Sequence, residues 1–194
     1  MPLIDRADSV LIVVDTQPGF LAHEMLTSEE GATAAAAVER IAWLVGVARL
    51  IDVPVVVVEE GTDRNGATEP RIVERLGPGA LVHCKATFGL TDCDAAVEAV
   101  RATARGTAVV TGFETDVCVA QSAVGLRDLG LRAVVVADAT YSARGQHRPG
   151  LDRMIHAGVE YSHFKGLVFE WLRTIDYARE VCGAAVERLG TFPV

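Results

Sequence analysis

Short apolar runs recur along the chain without alternating with polar residues. Such runs, most of them rich in valine, are typical of strands in a parallel sheet that is covered on both faces. We predict strands at residues 10–14, 55–58, 80–83, 107–111 and 133–137, with a last strand near residues 159–163. Helical periodicity occurs between them at residues 29–50, 92–105, 117–129 and 149–156, and a C-terminal helical region covers roughly residues 167–188.

The order of these elements indicates the fold class. Strand and helix alternate through most of the 194 residues, which favours right-handed crossovers and a three-layer α/β/α sandwich. A chain of this length, with half of its residues hydrophobic, is typical of one compact domain. We therefore expect a single domain that spans residues 1–194.

Charge and composition argue against several classes of protein. The formal net charge of -8, with no cluster of lysine or arginine, argues against a nucleic-acid-binding surface. No segment reaches the roughly 18 to 20 unbroken apolar residues that span a bilayer, and acidic Asp5 and Asp8 stand where a signal peptide would be basic. We expect a cytoplasmic protein with no membrane partner, whose four cysteines are reduced thiols.

The loops after the strands are where a ligand is expected, since ligands in open α/β sheets bind beyond the carboxyl ends of the strands. One of these loops delivers Cys118 to the start of a helix. Unpaired N–H groups in a first helical turn stabilise an anion, so this thiol is expected to ionise more easily than its reference pKa of about 8.5 indicates. The alternative is a small apolar residue in the core. Neither GxGxxG nor GxxxxGK[ST] marks a nucleotide site.

Two more chemically active side chains stand at strand ends. Asp15 follows the first predicted strand, where burial would raise its pKa and suit it to accept a proton from a thiol. The alternative is a carboxylate that caps the following turn. Lys85, one of two lysines in the chain, follows the third strand and needs either solvent or a counter-charge. We expect Asp15, Lys85 and Cys118 on one rim of the sheet.

Several motifs together resemble the isochorismatase-like cysteine hydrolase superfamily, which includes nicotinamidases and N-carbamoylsarcosine amidohydrolase. The resemblance runs from Val10 to about Arg173 and is carried by Val-Val-Asp-Thr-Gln-Pro-Gly-Phe, Lys-Ala-Thr-Phe, Gly-Phe-Glu-Thr-Asp-Val-Cys-Val and Val-Val-Ala-Asp-Ala-Thr-Tyr-Ser, followed by His147 and Arg153-Met154. It implies a Rossmann-like, six-stranded parallel sheet of order 3-2-1-4-5-6. The first and fourth strands are then neighbours, and Asp15 and Cys118 face each other.

The resemblance also implies a catalytic role for each of these residues. Asp15 would take the thiol proton and return it to the leaving amine, Lys85 would hold the ion pair together, and Cys118 would attack a carbonyl to form a thioester. A cis peptide bond is implied at Phe113–Glu114. The N–H groups of Glu114 and Cys118 would then form an oxyanion hole.

The chain departs from nicotinamidases in the loop after the second strand. Those enzymes carry an Asp-x-His pair and a nearby histidine that bind a metal, whereas this chain has Glu59, Glu60 and Asp63 in a stretch without histidine. Carboxylates bind hard cations through oxygen, but a solvated acidic loop is the favoured interpretation. We expect no metal, no other cofactor and a substrate other than nicotinamide.

Further side chains on the rim loops are expected to line a pocket for a small-molecule substrate. These are Phe20, His23, Phe88 and Tyr141. His147 is expected at the entry of a helix, and Trp171 in the core or in a subunit contact. The resemblance also implies a homo-oligomer, either a dimer or a tetramer.

The resulting hypothesis is a metal-independent cysteine hydrolase that cleaves a C–N bond of a small amide, lactam or carbamoyl compound through a Cys118 thioester. The nearest enzymatic alternative is an isochorismatase-type vinyl ether hydrolase, whose chemistry does not require the thiol. An alternative from another class is a catalytically silent member that binds a small ligand or a partner protein.

Overall fold

Six parallel strands form the centre of the molecule, in a computed structural model that describes residues 2–21 and 26–193. The strands are β1 (Ser9–Val14), β2 (Val55–Glu60), β3 (Val82–Lys85), β4 (Thr107–Phe113), β5 (Arg132–Tyr141) and β6 (Glu160–Ser162). They pair in the order β3-β2-β1-β4-β5-β6. The predicted parallel sheet and its strand order are confirmed.

Helices cover both faces of this sheet. In chain order they are α1 (Ser28–Leu50), α2 (Thr62–Asn65), α3 (Pro70–Leu76), α4 (Asp94–Ala102), α5 (Ala120–Asp128), α6 (His147–His156), α7 (Phe164–Leu172) and α8 (Ile175–Leu189). One face packs against α1, α7 and α8, and the other packs against α4, α5 and α6. This is the predicted three-layer α/β/α sandwich, and it explains why the strands read as continuous apolar runs.

The two hydrophobic clusters divide β1 between them. Leu11 and Val13 belong to the cluster under α1, whereas Val10, Ile12 and Val14 belong to the cluster under α4 and α5. All of these side chains are fully buried, because successive residues of a strand point to opposite faces of the sheet. The strand that ends at Asp15 is therefore anchored on both sides.

The longest helix, α1, is apolar enough to span a membrane by length and composition alone. In this structure 67% of its most apolar 18-residue window is buried, and it packs along the sheet. Its start is defined by a capping box, in which the Thr27 hydroxyl accepts from the Glu30 N–H while Glu30 accepts from the Thr27 N–H. These are the properties of a core helix.

The C-terminal region differs from the sequence prediction. Instead of one helical stretch, α7 ends at Leu172 and α8 begins at Ile175. Arg173 between them has a φ of 62°, and the Thr174 hydroxyl caps α8 by accepting from the Tyr177 N–H. Trp171 packs in the core, as predicted, and its Nε1 donates to Ser9 Oγ at 3.1 Å.

The contact between β1 and β4 positions the loops that follow them. Val14 pairs with Gly112, and a Cβ on Gly112 would lie 1.8 Å from the carbonyl oxygen of Val14. Gly112 also has a φ of 121°, so only glycine permits this close approach. As a result Asp15 leaves the sheet directly beside the loop that carries Cys118.

Candidate active site

Three side chains from separate motifs meet at the carboxyl-terminal edge of the sheet. Asp15 follows β1, Lys85 is the last residue of β3, and Cys118 lies in a π-helical turn (Thr115–Val119) between β4 and α5. Their exposed fractions are 0%, 4% and 2% respectively. A solvated loop lysine is therefore excluded. The Asp15 carboxylate accepts from Lys85 and, among the described residues, from no N–H group of the following turn, so the turn-capping alternative is excluded as well.

Lys85 reaches across β2 to form a buried ion pair with Asp15. Its Nζ lies 2.6 Å from Asp15 Oδ2, and both side chains are fully buried. The same ammonium group donates to the backbone carbonyl of Thr87 at 2.8 Å. Loss of one partner from such a pair leaves an uncompensated buried charge, which costs about 3–5 kcal/mol. The pair is therefore a fixed part of this site.

Burial raises the pKa of Asp15 to about 6, against the opposing effect of Lys85. The second carboxylate oxygen, Oδ1, is buried and accepts no hydrogen bond from any residue that the structure describes. Asp15, Glu60 and Cys118 each offer one atom, oxygen or sulfur, and these three atoms lie within 4.8 Å of one another. Asp15 can therefore serve as a proton acceptor for the thiol near neutral pH.

The Cys118 thiol makes its hydrogen bond to a different carboxylate. Its Sγ lies 3.4 Å from Glu60 Oε2 and donates to that oxygen. Burial raises the pKa of the thiol, and the charge of Asp15 raises it further. Contacts with the carboxylates of Asp15 and Glu60 add to the rise, whereas Lys85 acts in the opposite direction. The expectation that the helix start makes this thiol unusually acidic is wrong for the resting protein, because desolvation and two carboxylates outweigh it.

Glu60 is the site residue that the sequence analysis missed. It is the last residue of β2, and its backbone is fixed by the fully buried Gln17. The Glu60 N–H donates to Gln17 Oε1 at 2.8 Å, and Gln17 Nε2 donates to the Glu60 carbonyl at 3.1 Å. Gln17 also donates to the carbonyl of Gly66 at 2.5 Å. The position of Glu60 beside Cys118 is therefore built into the fold.

The prediction of a solvated acidic loop is also wrong for Glu59. This side chain is 7% exposed and accepts from the Thr68 N–H at 2.5 Å. It faces away from the thiol because neighbouring residues of a strand point to opposite sides. Asp63, in α2, is exposed as predicted. Of the three acidic residues, Glu59 thus binds the backbone at Thr68, Glu60 contacts the thiol, and Asp63 faces solvent.

The loop that carries Cys118 is held from two sides. Thr115 Oγ1 and His147 Nδ1 lie 2.8 Å apart, and burial lowers the pKa of His147. Ser142 Oγ donates to Asp116 Oδ1 at 2.6 Å. His147 begins α6, which is the predicted helix entry, and it connects that helix to the loop.

The Phe113–Glu114 peptide bond is cis, as the resemblance implies. The proposed role of the Glu114 and Cys118 N–H groups as an oxyanion hole stays a prediction.

A cavity of about 490 Å³ lies against this loop. Its walls include Phe20, Arg64 and Arg144, and it reaches Glu114 and Asp116. Burial raises the pKa of Glu114, and the charge of Asp116 adds to that effect. The cavity therefore brings charged groups of both signs close to the turn that contains Cys118.

The other predicted pocket residues in the described part of the chain, Phe88 and Tyr141, do not line the cavity that contains Phe20. Phe88 is 54% exposed and is not part of the cavity wall. Tyr141 is buried, packs edge-to-face on Phe113 with ring centroids 6.2 Å apart, and lines a neighbouring cavity of about 560 Å³. His23 lies outside the described residues. Substrate contact by these residues stays a prediction.

Comparison with known proteins establishes the family. The sequence profile of the isochorismatase domain matches residues 9–163. The chain belongs to the isochorismatase family. A secreted isochorismatase effector of Phytophthora sojae is 30% identical over 170 residues, which are 84% of this chain and 76% of that protein.

Solved structures share the isochorismatase-family fold. The YcaC gene product of Escherichia coli, described as an octameric hydrolase of unknown specificity, has a TM-score of 0.84 at 21% identity. The match covers 96% of this chain and 90% of that one. YcaC from Pseudomonas aeruginosa, described with hexane-2,5-diol and covalent acrylamide, has a TM-score of 0.83 at 24% identity and covers 95% and 90%. The α/β fold is thus common to this chain and to hydrolases of the family.

The residues of this isochorismatase-family site include a possible set of metal ligands and a cation that competes with a metal. Asp15, Glu60 and Cys118 are near enough to share one ion. However, the Lys85 ammonium group already pairs with Asp15 and would repel a divalent cation in a buried site. The residues therefore fit a thiol, carboxylate and ammonium site better than a metal centre.

Lys85→Met is expected to destabilise the protein in a pH-dependent way. Without the ammonium group the pKa of Asp15 rises above about 6. A carboxyl group whose pKa is raised in the folded state contributes stability at low pH and loses it as pH rises through that pKa. The loss relative to wild type should be about 3–5 kcal/mol at pH 8 and smaller at pH 5, as measured by chemical denaturation.

Lys165→Met is the matched control, because Lys165 is exposed on α7. Its effect on the free energy of unfolding should be small at both pH values. A loss for Lys85→Met that equals that of the control at pH 8, or that does not change between pH 8 and pH 5, would contradict the buried ion pair.

Proposed function

We propose that this isochorismatase-family protein is a cysteine hydrolase that cleaves a C–N bond of a small amide, lactam or carbamoyl compound through a thioester on Cys118. The observation that carries the proposal is the meeting of a thiol, a buried ammonium group and a carboxylate oxygen that has no donor among the described residues. A nucleophile beside a base that a third group orients is the general arrangement of covalent catalysis.

The first half of the proposed reaction transfers an acyl group to sulfur. Asp15 Oδ1 takes the thiol proton while Sγ of Cys118 bonds to the carbonyl carbon, and the N–H groups of Glu114 and Cys118 donate to the oxyanion. The C–N bond then breaks, and Asp15 gives its proton to the leaving nitrogen. Lys85 keeps its charge and holds the carboxylate in place.

The second half of the reaction hydrolyses the thioester. Asp15 accepts a proton from water as the water oxygen bonds to the thioester carbon. The C–S bond breaks, the acid product leaves, and the proton on Asp15 returns to sulfur. One water molecule is consumed, and one acid and one amine or ammonia are released, so the site returns to its starting protonation state.

Two further observations support this proposal. The pKa of Asp15, raised to about 6, suits a group that must both accept and donate a proton near neutral pH. The Pseudomonas aeruginosa neighbour, described with covalent acrylamide, indicates that a protein of this fold forms a covalent bond with a small amide-containing electrophile. We also propose a homo-oligomer, as the octameric Escherichia coli neighbour suggests.

We expect kcat/KM to fall by about a thousandfold or more in each of three variants, Cys118→Ala, Cys118→Ser and Asp15→Asn. When catalytic residues act together, removing one of them costs about as much activity as removing all of them. Ammonia or amine release from a panel of primary amides, lactams and ureas provides the measurement, with circular dichroism as the check on folding. Cys182→Ala is the matched control, because Cys182 lies on α8 and contributes no atom to the cluster of Asp15, Glu60 and Cys118.

The result that would contradict covalent catalysis is full activity in both Cys118→Ala and Cys118→Ser. If the same two variants also hydrolysed a vinyl ether at the wild-type rate, the isochorismatase-type alternative would replace the proposal.

Alkylation of Cys118 by acrylamide is expected to depend on the ionised form of Asp15. Because the pKa of Asp15 is about 6, the rate should rise between about pH 5 and pH 7 and then level off. Asp15→Asn should lack this rise, since an amide cannot accept the proton. Intact-protein mass spectrometry measures the rate, and one common inflection at or above pH 8.5 in both proteins would favour the catalytically silent alternative.

A further inference from the structure

The hydrogen bond of the resting thiol goes to a different carboxylate from the one that takes the proton in the proposed first step. Cys118 donates to Glu60 Oε2 at 3.4 Å, whereas Asp15 Oδ1, the oxygen that should take the proton, is buried and receives no donor from the described chain. Both carboxylates lie within 4.8 Å of the sulfur. The thiol therefore has two acceptors within reach, both of which raise its pKa. The geometry of its resting hydrogen bond favours Glu60, which the catalytic cycle does not use.

Backbone hydrogen bonds hold Glu60 in place for this contact. Its backbone is fixed by Gln17 on both its N–H and its carbonyl side, and Asn65 Nδ2 donates to the same carbonyl at 3.0 Å. Within the described ranges its carboxylate forms no salt bridge. A partly exposed carboxylate beside a nucleophile attracts hydrogen-bond donors and repels carbonyl oxygens.

These contacts suggest what a bound substrate would do. An amide has a donor side and an acceptor side, so its N–H groups would turn toward Glu60 and its carbonyl oxygen toward the backbone N–H groups of the loop. An N–H donor on Glu60 competes with the thiol for the same oxygen. The displaced thiol then has Asp15 Oδ1 as its remaining acceptor, which is the contact needed for proton transfer.

We infer that Glu60 is a substrate-recognition residue that holds the resting thiol and releases it to Asp15 when an N–H group of the substrate takes its place. The inference rests on the proposed function and narrows the substrate class. Substrates carry an N–H group on the scissile carbonyl, as primary amides, ureido compounds and N–H lactams do. Esters and tertiary amides lack this donor and leave the thiol bound to Glu60.

The test uses two electrophiles that differ in this donor. Acrylamide carries an NH₂ group next to its carbonyl, and N,N-dimethylacrylamide does not. Each rate of Cys118 alkylation is divided by the rate of the same compound with glutathione, which removes the difference in intrinsic reactivity. The preference for acrylamide that remains measures recognition of the N–H group, and it requires no knowledge of the natural substrate.

Wild-type protein should prefer acrylamide by about tenfold or more, the usual effect of a hydrogen bond to a charged group. Glu60→Gln and Glu60→Ala should lose most of this preference. Both variants should also alkylate faster with N,N-dimethylacrylamide, because the hydrogen bond to Glu60 is among the contacts that raise the pKa of the thiol. A purely structural role for Glu60 would move neither the ratio nor the pH profile.

Glu59→Gln is the matched control, since Glu59 is the adjacent glutamate, faces the other side of β2 and contacts Thr68. It should keep the wild-type preference. A wild-type preference retained in both Glu60 variants would overturn the inference, as would the absence of any preference in wild type. These results differ from failure of the proposed function, in which Cys118 is not alkylated selectively or Cys118→Ala still hydrolyses amides.

Discussion

The ion pair between Lys85 and Asp15 is the interaction on which the site depends. It places a positive charge at 2.6 Å from a fully buried carboxylate. Burial raises the pKa of that carboxylate, and the ammonium group limits the rise to about 6. A weaker pair would raise this pKa further, and a stronger one would lower it. The proton chemistry of the thiol thus depends on a balance between desolvation and one charge.

The sheet topology makes this pair and its thiol partner neighbours. Lys85 lies on β3 and crosses β2 to reach Asp15 after β1, while Cys118 follows β4 on the other side of β1. The order β3-β2-β1-β4 therefore brings together side chains that are separated by 70 and 103 positions in the sequence. The close approach of Gly112 to Val14 sets the distance between the two loops. A parallel sheet provides such an edge in every fold of this class, and this chain places a carboxylate, an ammonium group and a thiol there.

Sequence patterns were sufficient for the sheet and for three site residues. Valine-rich runs predicted the strands because both faces are covered, and the positions of Asp15, Lys85 and Cys118 after those runs placed them on one edge. Glu60 could not be identified in this way. Alternation along a strand shows that Glu59 and Glu60 face opposite sides, but not which of the two meets the thiol. The raised pKa of Cys118 was also missed, because it depends on burial, on the charge of Asp15 and on the contact with Glu60, which appear only in three dimensions.

The proposed function requires Cys118 to carry the acyl group during turnover. This intermediate can be trapped by acid-quenching the protein while it hydrolyses a primary amide and measuring the mass of the peptide that contains Cys118. We expect a mass increase that corresponds to the acyl group and disappears after treatment with hydroxylamine, because that reagent cleaves a thioester. Steady hydrolysis with an unmodified Cys118 peptide at every quench time would contradict this expectation.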